Sequence, residues 1–209
     1  MGARVKTFIL GLISVSLCIP MMLALIDKGE QMWVGPYQES FTYGSITGFI
    51  LGIVIAIKLP VLMILEHELT HLMVALLMFR KPVRVVADSE GGETEYTGRG
   101  SVFIRLAPYI LPSTTLIALG LLALFKIDRS AELVFFLALT WGCHLSTGLV
   151  EASPRQTDLR EGGLLVSYVT VLSLCAVIYP ATAIASYGNW QIVGEWALRA
   201  WEIIMQTKI

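Results

Sequence analysis

His67-Glu68-Leu69-Thr70-His71 sets two histidines four residues apart, with a glutamate directly after the first. On a helix, residues four apart share one face, so both imidazoles can reach a single Zn2+ ion. Glu68, the next residue around the helix, can reach a metal-bound water as general base. Zinc lowers the pKa of that water toward about 7, which makes hydroxide available at neutral pH. The motif sits in an apolar stretch, where two histidines and a carboxylate are costly unless they pair or bind something. Glu66 adds a further charge there. It suits either a hydrogen bond behind a metal ligand or a partner on a facing helix wall.

A catalytic zinc needs a third protein ligand and one open position. Three residues are candidates. Asp158, in Ser153-Pro154-Arg155-Gln156-Thr157-Asp158, comes just before an apolar span and is the favoured one. A proline there delays helix formation and lets the carboxylate turn inward. An anion also offsets part of the Zn2+ charge in a low-dielectric setting. The plain structural role for Asp158 is a helix N-cap. His144, inside the preceding span, is the next candidate, and its plain role is a hydrogen bond to a neighbouring helix. Glu151 lies between the two.

These residues need a scaffold, and composition names its solvent. The chain has 209 residues, of which 56% are hydrophobic and only 15% charged. Soluble domains are closer to one-quarter charged, so a lipid bilayer is the expected partner of this surface. The net charge of −1 offers no basic field for nucleic acid. Cys18, Cys143 and Cys175 lie singly in apolar stretches and read as buried free thiols.

The apolar run Phe8 to Ile26 is long and lacks a small-x-small cleavage site, so it reads as a retained first span. Residues 44–79 form one long apolar region. As a single helix it would run about 54 Å, against a bilayer core of about 30 Å. Lys58 and Pro60 interrupt it, which predicts one kinked or broken crossing whose second part, Pro60 to Phe79, carries the motif. Gly44, Gly48 and Gly52 make a small-residue ridge for close helix packing. Residues 80–100 are polar, alternate around Val83 and Val85, and contain Gly91-Gly92, the pattern of a β-hairpin. Further spans are expected at Ser101 to Phe125, Leu133 to Val150 and Leu164 to Ser186. Residues 190–209 form an amphipathic helix with Gln191, Glu195, Arg199, Glu202 and Gln206 on one stripe, suited to an interface or to a last span with its polar face inward.

The expected fold is an all-α multi-pass membrane bundle of about five or six transmembrane segments, with a small β-hairpin after the motif helix. Residues 1–209 form one integral membrane domain. Within it, 1–43 are a first span and outer loop, 60–186 the catalytic core and 190–209 the C-terminal helix. Arg4 and Lys6, the hairpin residues Arg80, Lys81, Arg84 and Arg99, and Arg155 with Arg160 fall on one face if 44–79 crosses once. The positive-inside rule makes that face cytoplasmic, which sets the site toward the cytoplasmic side of a cell membrane.

A His-Glu-x-x-His motif in a membrane helix, a hairpin after it and a Pro-then-Asp segment two spans later resemble the site-2 protease family of intramembrane zinc metalloproteases. The resemblance covers roughly Pro60 to Ser186. Ser153 stands where that family usually has Asn before the proline, and Leu159 where it has Gly after the aspartate, which suggests a divergent branch. The resemblance implies that His67, His71 and Asp158 hold zinc and that Glu68 activates water. It also implies cleavage of a transmembrane segment of another membrane protein. A hairpin edge near the zinc would suit an extended substrate, because a helical one hides its scissile carbonyl; the plain alternative is a connecting loop. Two other readings compete. One is a non-catalytic zinc-binding membrane protein, a pseudoprotease or scaffold, against which an intact Glu68 argues. The other is a prenyl-protein type of metalloprotease, with Glu151 as the distant ligand.

Overall fold

The structure is a computed structural model that describes residues 2–32, 35–89, 91–98, 100–186, 188 and 190–206. Arg99 of the basic hairpin set and residues 207–209 of the tail lie outside these. The chain is an all-α multi-pass membrane bundle with one small hairpin. Its elements are α1 (Ala3–Met32), α2 (Gln38–Lys58), α3 (Pro60–Leu77), β1 (Pro82–Ala87), β2 (Gly92–Tyr96), α4 (Val102–Leu106), a 3-10 turn (Ala107–Tyr109), α5 (Ser113–Leu124), α6 (Ala131–Glu151), α7 (Thr157–Glu161), α8 (Leu164–Ser186) and α9 (Trp190–Gln206).

Among the described residues, five helices, α1, α2, α3, α6 and α8, are long and apolar enough to cross a membrane. Their outer faces carry exposed Phe8, Leu12, Ile50 and Leu172. Water would not tolerate so much apolar surface on a monomer, whereas lipid covers it. Polar hydroxyls on the spans bond backward to their own helix, as Thr7 does to the Ala3 carbonyl and Thr170 to that of Val166. This is how a side chain is satisfied where there is no water.

The glycine ridge does what its spacing predicts. A Cβ on Gly44 would meet Phe135 and Ala138, one on Gly48 the backbone of Leu139, and one on Gly52 Cys143 and Ser146. Both residue series ascend together, so α2 and α6 run parallel with their backbones nearly touching. Trp141 bonds to Tyr179 and Thr182 of α8, and Val134 and Ala138 pack on Ala183, so α8 runs the other way. α1 follows α8 in parallel, with Gly11 against Val166 and Thr170, and Ala24 against Ile184.

Three expectations change. First, residues 44–79 are not one kinked crossing. Leu59 alone (φ −135°, ψ 53°) separates α2 from α3, and Pro60 starts the new helix at a position where its missing N–H costs nothing. Gly52 and Glu66 both meet α6 within residues 143–146, so the chain reverses at Leu59 instead of running on. Second, the expected span Ser101 to Phe125 is broken. Val102–Tyr109 and Ser113–Leu124 are bent by 95° about the segment between them. Ala107 before Pro108 keeps helical angles (φ −53°, ψ −46°), whereas Pro112 stands at the N-cap of α5 and disfavours helix in Leu111, so the break falls just before α5. Third, the cysteines are free but only half-buried.

The hairpin is the one expected. Asp88 and Gly91 close its turn, with the Asp88 amide donating to the Gly91 carbonyl (2.9 Å) and the Gly91 amide to Asp88 Oδ1 (3.1 Å). β1 and β2 pair antiparallel, with Val85 opposite Thr94 and a register shift between Pro82 and Arg84. α9 is not among the helices able to span. The Trp196 indole donates to the Met21 carbonyl (2.8 Å), Arg199 pairs with Asp27 (2.7 Å) and Val193 packs on Leu119, Leu122 and Ala185. All these partners lie toward the C-terminal ends of α1, α5 and α8, so α9 lies across those ends.

Candidate metal centre

Three consecutive residues of α3 point in three directions, since each step turns the helix by about 100°. The Glu66–Thr70 row faces α5 and α6. The His67–His71 row faces α7. Glu68 faces β2. A different element meets each row, so the rotation of α3 is set on three sides.

On the middle row, His67 Nε2 lies 3.4 Å and His71 Nε2 3.1 Å from Asp158 Oδ2. One donor atom from each of these residues lies within 4.8 Å of the others, and both histidines are buried. Asp158 falls in the first turn of α7, whose N-cap is Gln156, so it does not cap that helix. Burial would push its carboxyl up, but when His67 and His71 carry a proton on their inward nitrogens those groups hold it well below the usual carboxylate range. It is an anion at neutral pH.

The outer nitrogens show what the inner ones are for. His71 Nδ1 lies 2.7 Å from the Ile104 carbonyl oxygen. A carbonyl only accepts, so the proton is on Nδ1, and in the neutral ring Nε2 presents a lone pair. His67 Nδ1 lies 3.0 Å from Glu151 Oε2, which favours the same tautomer. Two lone pairs against a carboxylate oxygen repel one another unless a proton or a cation lies among them.

The donor set fits zinc. Bonds of about 2.0–2.1 Å to nitrogen put tetrahedral ligand atoms roughly 3.3 Å apart, and both distances to Asp158 are close to that. Two neutral imidazoles and one carboxylate, with the outer nitrogens tied to a carbonyl and a second carboxylate, are a frequent catalytic zinc set with its supporting bonds. The three residues line a cleft of about 760 Å³, together with Glu68, β2 residues and the start of α1. The N-terminal residues Ala3 and Lys6, the hairpin residues Gly91 to Thr94, and Ser153 and Gln156 all border this cleft. Residues of three separate segments thus border one opening, with Lys6 the basic residue they bring to it.

The other candidate ligands are elsewhere. Glu151, the last residue of α6, stands behind His67 and not among the inward-facing atoms. His144 takes its plain role: its Nδ1 lies 3.0 Å from Glu66 Oε1. Glu66 also accepts from Ser113 (2.9 Å), whose hydroxyl accepts from Thr70 (2.8 Å). Glu66 therefore binds the facing helices and supports no ligand.

Several contributors carry no sequence signal. The Ile104 carbonyl acts through its backbone, so residue type says nothing about it. Thr94 donates to Glu68 Oε2 at 2.7 Å, and Gly92 lies against the same carboxylate. Tyr109 sets its ring edge-on to His67 with centroids 5.2 Å apart. Arg105 of α4 is a further one. It is buried and donates to Thr7 Oγ1 (2.6 Å), which ties α4 to α1.

Comparison of the chain with models of known protein families, with curated proteins and with solved structures finds no match.

Proposed function

We propose that this protein is a zinc metalloprotease that cleaves a peptide bond in or near a transmembrane segment of another membrane protein. The observation that carries the reading is the pairing at His71. Its Nδ1 proton is committed to the Ile104 carbonyl, so its Nε2 lone pair turns toward Asp158 beside that of His67. Bound there by His67, His71 and Asp158, zinc would supply Lewis acidity and make hydroxide available from water near neutral pH.

The chain's own residues account for the rest. Glu68 is buried, borders the cleft and is not one of the three inward-facing donors. It is the group able to take a proton from water and return it to the leaving amine. β2, and not β1, lines the cleft, so the free edge of the hairpin is the one available to an extended peptide. A helical segment must be unwound before its carbonyl can be attacked, and a strand edge beside the site stabilises the unwound form. The apolar exterior sets this chemistry among lipid, where the peptide bonds of water-soluble chains do not reach. Arg4 and Lys6 of the N-terminus, with Lys6 bordering the cleft, favour a cytoplasmic opening in a cell membrane.

The test pairs metal analysis with hydrolysis. Purified protein should contain one zinc per chain and cut single-span membrane proteins reconstituted with it, with Glu68→Gln inactive but zinc-loaded. Stoichiometric zinc with no cleavage across a panel of such substrates favours the non-catalytic zinc-binding protein instead.

A further inference from the structure

We infer that Thr94 is the positioning residue for Glu68, so that the strand offered to a substrate also aims the base; this rests on the protease reading above. Glu68 leaves α3 toward the hairpin with a flexible side chain, and two features of β2 confine it. The Thr94 hydroxyl lies 2.7 Å from Glu68 Oε2 and 3.0 Å from the Glu68 carbonyl oxygen. The hydroxyl has one proton, and the shorter contact, to Oε2, is the one that holds the carboxylate. Gly92 supplies the second constraint. A Cβ there would lie 2.5 Å from Glu68 Cγ and Oε1, so the bare backbone leaves just the room that the carboxylate occupies.

The same strand face continues along α3. Gly92, Thr94 and Tyr96 alternate with the exposed Glu93 and Glu95, and Tyr96 packs on the cluster of Val74, Ala75 and Ile104. β2 is thus anchored to the motif helix at both ends, at Glu68 through a hydroxyl and at Val74–Ala75 through a ring. Its residues Gly92 to Thr94 and Tyr96 line the cleft. A peptide pairing with its free edge shifts β2, and β2 cannot shift without carrying the partner of Glu68. A hairpin loaded out of place withdraws the base, while one loaded in register aims it. Substrate selection and base orientation become one event.

Thr94→Val removes the hydroxyl at nearly constant shape, Thr94→Ser restores it, and Gly92→Ala pushes on the carboxylate from the other side. With reconstituted single-span membrane proteins as the probe, Thr94→Val and Gly92→Ala should keep stoichiometric zinc and unchanged KM, and lose roughly 10–100-fold in kcat. Thr94→Ser should regain most of it. A second measurement does not need activity. Coupling is reciprocal, so Glu68→Ala should speed amide hydrogen exchange across residues 91–96 while zinc stays bound. Wild-type kcat in Thr94→Val, or unchanged exchange at 91–96 in Glu68→Ala, overturns the inference. A wild-type protein that binds zinc but cuts no probe overturns the protease reading, and the exchange result still decides whether Thr94 and Glu68 are coupled.

Discussion

Nδ1 of His71 and the carbonyl oxygen of Ile104 lie 2.7 Å apart, and this one contact determines which nitrogen of the ring faces inward. Ile104 belongs to α4, the short arm of the broken span. The break in that span therefore leaves a backbone acceptor beside a histidine of the candidate metal centre. That carbonyl also accepts from the Ala107 amide, and its second lone pair is the one that meets the ring.

His67→Ala and His71→Ala should each abolish stoichiometric zinc, measured by elemental analysis of purified protein. A chelator should lower the thermal midpoint of the wild type, because an ion bound only by the folded state stabilises it. The midpoint of His71→Ala should not respond. An equal response in both would move the metal away from this site.

Glu68→Gln should keep the zinc and lose about 10²–10⁴-fold in hydrolysis, the range for a general base. Full proteolysis by this variant would defeat the proposed chemistry outright.

Asp158, Glu151 and His144 should separate cleanly when zinc affinity is measured by competition with a chromophoric chelator. Asp158→Ala should lose the most. Glu151→Gln should weaken binding roughly 10–100-fold, as removal of a partner behind a ligand does. His144→Ala should leave affinity unchanged, since its Nδ1 faces Glu66. Zinc lost from His144→Ala and kept in Asp158→Ala would reverse the assignment.

The Glu66–His144 pair should matter to stability. His144→Ala leaves a carboxylate among apolar helices without its main partner and should cost about 3–5 kcal/mol. Replacing both residues by leucine should cost less than either single change. Thermal unfolding in detergent reads all three, and additive losses would argue that the pair is not coupled.

Cysteine-accessibility labelling should put Ser89 and Gln156 on one side of the membrane and Glu39 and Asp128 on the other. α2 and α6 run parallel, which puts Glu39 and Asp128 at the same end of the bundle, and the hairpin and the segment after α6 share one cleft. Labelling of Ser89 from the side of Glu39 would contradict this arrangement.

Much of this was legible in the residues. The spacing of His67 and His71 needs only a helix to bring them together, and Pro154 makes it credible that Asp158 leaves the helical register before the next span. The hairpin shows in its alternation and in Gly91-Gly92, and the α2–α6 seam in a repeat of glycines. The reversal at Leu59 was not legible. Residues on both sides are apolar and helical, and a one-residue turn leaves no polar loop to mark it. The break before α5 was signalled by Pro108 and Pro112, but proline alone does not say whether a helix kinks or stops. Thr94 and the Ile104 carbonyl were out of reach because their roles depend on the relative depth of elements far apart in the chain.

The glycine seam also limits traffic. With α2 and α6 backbones this close along Gly44, Gly48 and Gly52, that wall cannot part to admit a bulky segment from the lipid without undoing the packing at all three positions. On the protease reading, a substrate would enter by another flank, and the hairpin side is the one where the cleft is bordered by side chains of a two-stranded sheet. An inhibitor shaped for this protein would approach along the strand edge, and a covalent staple across α2 and α6 should leave turnover intact.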